Sequence, residues 1–439
     1  MEIKKYQLEP EVRQFNGIAE QDKIFLSIQI GNGQIGGSKV MLDAQQLAKG
    51  NLTQHTFIGD SNNLINKEIE IETNVLDVNQ FTNKCVITTT FLNQDNKILF
   101  TKIDIGEAPE NGIASFNGKY RLMLLLFLLF IFSFNTNKVS AQSVSDKITF
   151  QNLETPSSPG FVLLDKTPSS IEKPTTPQGF GVSVLGLLQG KGGAMEFAPF
   201  WLVNHPKLSA EKMYKNKMPV LYNFSISAAT VKTDTVSYIA GGIRTRLFQS
   251  YNKGIINRLD SIKTKIEDAL ADLDTTKIKV LQKMYAGLLE NPIFTIDVAG
   301  AIGGGSNTNS FHDAKINRWA AWLSFNWRPK GDNFYITALT RYMNNEKFED
   351  YTAKADLLDI GTRLNYDILN ICVSLEYLQR FNLSKNNDSD NRIAIIGSYK
   401  LSDNIYFTTT FGKNFSETNN IIALAGINFG ISKSKIKAF

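Results

Sequence analysis

The chain has 439 residues, enough for two or three units of ordinary domain size. An apolar fraction of 42% and a charged fraction of 20% suit a soluble protein, and equally a membrane β-barrel, whose alternating strands keep mean hydropathy modest. The net charge of +5 is too small and too dispersed for nucleic-acid binding.

Residues 1–120 contain short β-like runs at Lys23–Ile30, Ser38–Leu42, Glu68–Val75, Cys85–Leu92 and Ile98–Ile105. Gly-Asn-Gly, Gly-Gly-Ser and Asn-Gln-Asp-Asn between them read as turn punctuation, and Asp43–Lys49 as one or two helical turns. The expectation is a small β-rich domain, sandwich or open barrel, mildly acidic and without a catalytic signature.

A break follows. Lys119-Tyr120-Arg121 precedes an unbroken apolar run from Leu122 to Ile131 and on to Phe134, cut short by Asn135, Asn137 and Lys138. A membrane-spanning helix needs about 20 apolar residues, whereas a run of about thirteen with a basic start is the core of a signal peptide. Val139-Ser140-Ala141 offers small residues for cleavage, which makes Gln142 the expected mature N-terminus. The alternative is a buried core helix. As a signal, 121–141 predicts that 142–439 is exported while 1–120 stays on the cytoplasmic side, as a fusion or a separate product, Met123 being able to serve as a start.

Residues 142–179 are rich in Pro, Ser and Thr and read as an extended tether or plug. From 180 to 439 a period-2 pattern persists. Strands are predicted near 180–189, 194–203, 219–232, 235–247, 293–302, 316–328, 333–343, 354–366, 369–381, 391–401, 404–412 and 420–432, with Gly303-Gly304-Gly305 read as loop. Leu369, Ile371, Val373, Leu375, Tyr377 and Phe381 oppose Asn370, Cys372, Ser374, Glu376 and Arg380, and Trp319, Ala321, Leu323, Phe325 and Trp327 oppose Arg318, Ser324, Asn326 and Arg328. Strands of about nine to thirteen residues match a tilted bilayer crossing better than the usual five or six. Aromatics near the ends of the apolar face (Trp319, Trp327, Phe334, Tyr342, Tyr366, Tyr377, Phe429) suit interfacial girdles. The fold class expected is therefore all-β: a transmembrane antiparallel β-barrel of about 12 strands, with both ends in the periplasm and short turns on that side.

Strand parity places the long insertion 249–292 on the same periplasmic side. Ile255, Leu259, Ile262, Ile266, Leu270 and Leu273 recur at helical spacing, followed after Asp274-Thr275-Thr276 by Leu281, Met284 and Leu288. This predicts a helical hairpin with Asp274 or Thr275 as N-cap of its second helix. It either packs its apolar stripe under the barrel mouth or offers a docking surface to a periplasmic protein partner.

The same parity turns Arg244, Arg246, Arg318, Arg341, Arg363, Arg380, Arg392 and Lys400 inward, against Glu196, Asp297, Asp359 and Glu376. A basic excess in a pore favours anions; mutual neutralisation in a closed lumen selects nothing. No cofactor or metal is implied: Cys85 and Cys372 have no ligand spacing, and His55, His205 and His312 are scattered. Ser310, His312 and Asp313 crowd one loop, but neighbours on a loop do not make a triad, and no enzyme is expected.

With its signal, strand ladder and Pro-rich lead-in Glu172-Lys173-Pro174-Thr175-Thr176-Pro177, the segment 123–439 resembles Gram-negative outer-membrane β-barrel proteins. The resemblance is architectural and names no substrate. It implies outer-membrane lipid and the barrel-assembly machinery as partners, the latter guided by an aromatic-bearing final strand; Phe429 and Phe439 fit that habit, while the basic extension after Phe429 departs from it. The function expected is a passive channel or translocation component. The alternative is a closed-lumen anchor that docks periplasmic partners through the 249–292 helices.

Overall fold

A computed structural model describes residues 1–7, 13–16, 22–123, 193–232, 237–289, 292–306, 314–329, 333–344, 355–368, 371–384, 388–402, 405–413 and 421–429. The expected cleavage site Ala141–Gln142, the tether 142–179, the strand at 180–189 and the Ser310/His312/Asp313 loop all lie outside these residues. The chain divides into two compact units: one gathers Met1–Gln142, Asn204–Lys215 and Lys253–Glu290, and the other takes the remainder.

The first unit begins with ten strands: β1 (Ile3–Gln7), β2 (Arg13–Asn16), β3 (Lys23–Ile30), β4 (Ile35–Leu42), β5 (Gln45–Gly50), β6 (Thr56–Asp60), β7 (Glu68–Leu76), β8 (Lys84–Leu92), β9 (Ile98–Glu107) and β10 (Ile113–Met123). One sheet runs β1-β10-β7-β4-β5 with β2 also on β10, and the other runs β6-β3-β8-β9. Alternation sends Ile24, Leu26 and Ile28 of β3 and Ile87 and Phe91 of β8 into one core with Val40, Ile69, Ile71, Phe116 and Tyr120 of the facing sheet. This is a β-sandwich. Its buried Arg13 is held by Asp104 at 2.9 Å and donates to the Tyr120 hydroxyl at 3.0 Å, so the one guanidinium in this core is paired.

Three local readings change here. Asp43–Lys49 is not helical: Asp43 and Ala44 both take positive φ (47° and 68°), the two-residue turn that joins antiparallel β4 to β5. Gly36 and Gly37 lie inside β4 instead of in a turn. The sandwich also runs past residue 120, because Tyr120, Arg121, Leu122 and Met123 pair with β2 and both Tyr120 and Leu122 are buried. The basic flank and first apolar residues of the expected signal are thus the end of a strand.

The same unit contains α1 (Ala210–Lys215), α2 (Lys253–Ala271) and α3 (Thr275–Leu289). Leu259, Ile262, Ile266 and Leu270 form the buried stripe of α2, and Ile278, Leu281 and Tyr285 that of α3. Asp274 caps α3, its carboxylate accepting the Lys277 N–H at 3.0 Å. The stripe of α2 faces β4, β5 and β7 of the sandwich, as well as α3.

The second unit is one antiparallel sheet of eleven described strands in sequential order, β11 to β21. They are β11 (Gly193–Phe197), β12 (Ser225–Lys232), β13 (Ser237–Ser250), β14 (Phe294–Ser306), β15 (Lys315–Trp327), β16 (Phe334–Asn344), β17 (Leu357–Ile368), β18 (Ile371–Asn382), β19 (Asp388–Ser402), β20 (Ile405–Lys413) and β21 (Ile421–Phe429). Among the described residues no pairing joins β11 to β21. The strand expected at 194–203 stops at Phe197, where Pro199 opens a short 3-10 turn over Pro199–Leu202. That expected at 219–232 starts only at Ser225, after a helical turn Val220–Asn223 led by Pro219. The Gly303–Gly305 run belongs to β14, whose neighbour comes so close that a Cβ on Gly304 would sit 2.5 Å from the Lys315 carbonyl oxygen. Strict antiparallel order puts the β11–β12 and β13–β14 connections, which carry α1 and the α2–α3 hairpin, at the same end of the sheet as the short connections 328–333, 369–370 and 403–404.

Candidate functional site: the charged buried face

Seven of these strands, β13 to β19, run 11 to 15 residues. Along them buried residues alternate with intermediate or exposed ones, and charged residues occupy the buried face while aliphatics occupy the other. Ile243, Ile302, Ile360, Val373, Leu375, Ile393, Ile395 and Phe411 are between 44% and 62% exposed. Glu196, Asp297 and Asp359 are 0% exposed, Arg244 and Glu376 1%, and Arg318 2%. A contiguous exposed apolar face of this kind marks a surface that meets another apolar phase or partner.

The exposed face is bounded by aromatics at both ends. Trp319 lies against Tyr342 in a tilted pair with ring centroids 4.6 Å apart, with Phe381 two strands on. At the other end lie Trp327, Phe334 and Tyr366, the latter two directly paired. Trp319 and Trp327 are eight residues apart on β15, about 26 Å along a strand and about 20 Å once a strand tilt of roughly 40° is allowed for.

On the buried face, register brings the charged residues together. Arg246 opposes Asp297 and binds it at 2.8 Å. Asp359 stands between Arg341 on β16 (2.5 Å) and Arg380 on β18 (2.8 Å). Glu376 likewise lies between Arg363 (4.0 Å) and Arg392 (3.3 Å). Arg244 binds Glu196 at 3.0 Å across β12, with Ser225 bonded to both. The inward candidates named from the sequence whose side chains are described lie on this one face. Arg318 is buried there too, while the Lys400 side chain is outside the description. Six of these guanidiniums pair with the four carboxylates, and Asp390 stands opposite Arg380 on the same face.

Sequence reading placed Asn326 and Ser374 on this face but passed over Thr295, Thr337 and Asn365, which bond with them. Thr295 and Asn326 both donate to Asp297, at 3.1 and 3.3 Å, and Thr337 bonds Asn326 at 2.8 Å. Asn365 and Ser374 form a further link at 2.8 Å. Their only signal was the parity they share with the arginines. Interleaved with Arg318, Arg341, Asp359 and Arg380 on the same face is an apolar cluster of Ala301, Ala320, Trp322, Met343, Leu357 and Leu378.

Among the described residues no group of three His, Cys, Asp or Glu side chains is placed to hold a metal ion. His55 bonds Asn96, and His205 lies in the segment that joins α1 to the sandwich loop at Asn32. No described helix is long and apolar enough to cross a membrane.

No protein-family model matches the chain, and no curated protein matches it. Solved structures do. The outer membrane channel DcaP of Acinetobacter baumannii is 8% identical with a TM-score of 0.28, over 92% of this chain and 96% of that one. An anion-selective porin from Comamonas acidovorans is 8% identical with a TM-score of 0.27, over 93% and 96%. A mutant of the Rhodopseudomonas blastica porin is 9% identical with a TM-score of 0.21, over 92% and 99%. Scores this low carry no argument, and the functional reading rests on the geometry above.

Proposed function

We propose that the eleven-strand sheet is the wall of an outer-membrane β-barrel that works as a narrow, passive, anion-preferring channel. The observation that carries the membrane reading is the reversal of faces: paired charges buried, aliphatics exposed between two aromatic belts. Lipid satisfies such an outer surface and water does not. The strand lengths support the same reading, since nine to eleven residues suffice to cross the bilayer at a tilt of about 45°.

The channel reading draws on the arginines that register gathers on this face, whose positive field beside water attracts anions. This role requires no cofactor and no catalytic step. Insertion by the barrel-assembly machinery and burial in outer-membrane lipid complete the proposal. A closed-lumen anchor is favoured by a different observation, the complete burial of the Arg244–Glu196 pair at 0% exposure of both side chains.

Conductance across planar bilayers separates the two. The purified full chain is expected to give discrete steps whose reversal potential in a salt gradient reports anion preference. The double substitution Arg341→Gln and Arg380→Gln is expected to move that potential towards cation preference. A barrel that inserts but never conducts would replace the channel by the anchor.

A further inference from the structure

The helices inserted between strands of the eleven-strand sheet do not stand alone; they are folded together with residues 1–123. Three sets of contacts define the joint, and a fourth ties the inserted helices to one another. Gly37 of β4 has the backbone of α2 directly against it, so that a Cβ there would overlap the Glu267 carbonyl and crowd the Ala271 nitrogen. Around this contact Asn74 donates to the Leu270 carbonyl at 2.9 Å, Lys49 pairs with Asp272 at 2.6 Å, and Gln282 of α3 donates to the Asp77 carbonyl at 3.0 Å. The loop 31–33 takes the segment before α1 by its backbone: Asn32 N–H donates to the His205 carbonyl at 2.9 Å, its side-chain oxygen accepts the His205 N–H at 2.5 Å, and Gly33 N–H donates to the Leu208 carbonyl at 2.6 Å. Finally, α1 is tied to α2, the Tyr214 hydroxyl donating to Asp260 and Lys215 pairing with Asp260 at 3.0 Å.

These contacts are specific in two ways. Satisfying backbone groups through a partner segment leaves a cost if the partner is absent, because buried donors and acceptors lose their bonds. Asn32 is 0% exposed and Asn74 0% exposed, so both side chains are sealed by the joint. The surface is also shaped for its occupant. Gly31, like Gly37, admits backbone where any other residue would not: a Cβ on Gly31 would lie 2.5 Å from Pro206 Cα.

We infer that residues 1–123 are the docking partner of the segments 204–215 and 253–290, and that they share one compartment and stay bound when the covalent link between them is cut. Export beginning at residue 121 would strand 1–120 on the cytoplasmic side, out of reach of insertions on the far side of the inner membrane. The joint requires the sandwich on the side where the insertions emerge. With the barrel reading adopted above, that side is the periplasm, and the sandwich is the protein the helices hold. The joint itself rests on contacts within the first unit and not on that reading.

The test uses the full chain with a site-specific protease sequence placed within residues 142–179. Membranes are isolated, cut and washed, and both fragments are followed by tags in the pellet and the supernatant. Retention of the 1–123 fragment in the pellet after cutting is the expected result. Gly37→Leu is expected to release it into the supernatant, and so is Ala271→Arg, which leaves the sandwich sequence untouched and so separates lost docking from a misfolded sandwich. A second readout is cross-linking in intact cells. In a Cys85→Ala, Cys372→Ala background, Lys49→Cys and Asp272→Cys are joined with a short bis-maleimide; the expected product keeps both fragments in one band after cutting. Release of the wild-type fragment, together with no cross-link, overturns the inference. Pelleting and heat-modifiable migration of the 142–439 fragment report the barrel independently, so loss of those with retained docking would sink the barrel and spare the joint.

Discussion

The sandwich and the eleven-strand sheet obey the same period-2 rule and put it to opposite use. On β3, Ile24, Leu26 and Ile28 are buried and the alternate residues face water; on β18, Ile371, Val373 and Leu375 are exposed and Ser374 and Glu376 are buried. Alternation fixes which residues share a face. Whether that face becomes a core depends on the solvent outside, and the two halves of this chain point to two different solvents.

The comparison breaks first at a fully buried charge. Asp359→Ala removes the carboxylate between the part-buried guanidiniums of Arg341 and Arg380; the expected cost is about 3–5 kcal/mol, read as loss of heat-modifiable migration or a lower urea midpoint in lipid. The exposed faces give the next test. Leu375→Arg in the middle of β18 is expected to cost about 2–4 kcal/mol if lipid covers it. Ile103→Arg on the outer face of β9, 49% exposed, is expected to stay within about 0.5 kcal/mol. Equal and small effects at both positions in urea unfolding would remove the difference in solvent on which the barrel rests.

Smaller effects sharpen the sandwich side. Ala44→Gly relieves a positive φ in the β4–β5 turn and is expected to raise the sandwich's unfolding midpoint by about 1 kcal/mol of stability. The last prediction is a pH slope. Burial raises the Glu267 carboxyl above its ordinary value, against the opposing pull of Lys263 and Asn51. The folded unit therefore binds its proton more tightly than the unfolded chain does. The associated stability is fully present below the ordinary glutamate range and is lost as pH rises through the raised value. Glu267→Gln is expected to flatten that part of the stability–pH profile, measured by thermal melting between acidic and neutral pH.

Much of the architecture could be read from residue patterns because it is local. Hydrophobic spacing at Leu259, Ile262, Ile266 and Leu270 marks a helix, and alternation along β15 and β18 marks strands and assigns faces. Parity alone gathers Arg341, Asp359 and Arg380, because adjacent strands place like-facing residues opposite one another. Long-range choices were not legible. Nothing in Gly36-Gly37 announces that a helix more than two hundred residues on will lie against it, and the pair reads as a turn. Asp43-Ala44 lacks the glycine that advertises a two-residue hairpin, so its polar, helix-favouring neighbours suggested a helix instead. Lys119-Tyr120-Arg121 carries both a basic flank and a strand alternation, and the apolar run behind it drew the eye to the former.

The docking face also sets an order of events during synthesis. Asn74 finds its acceptor at Leu270, 196 residues later, and Asp77 finds its donor at Gln282, 205 residues later. At about 5–20 residues per second, roughly 10–40 s separate the synthesis of Asn74 and Asp77 from that of the helix residues they bind. Throughout that interval β4 presents a bare strand face, cut to receive a backbone and with none yet made. The nascent chain thus carries an uncovered sheet face around Gly37 until its own helices arrive.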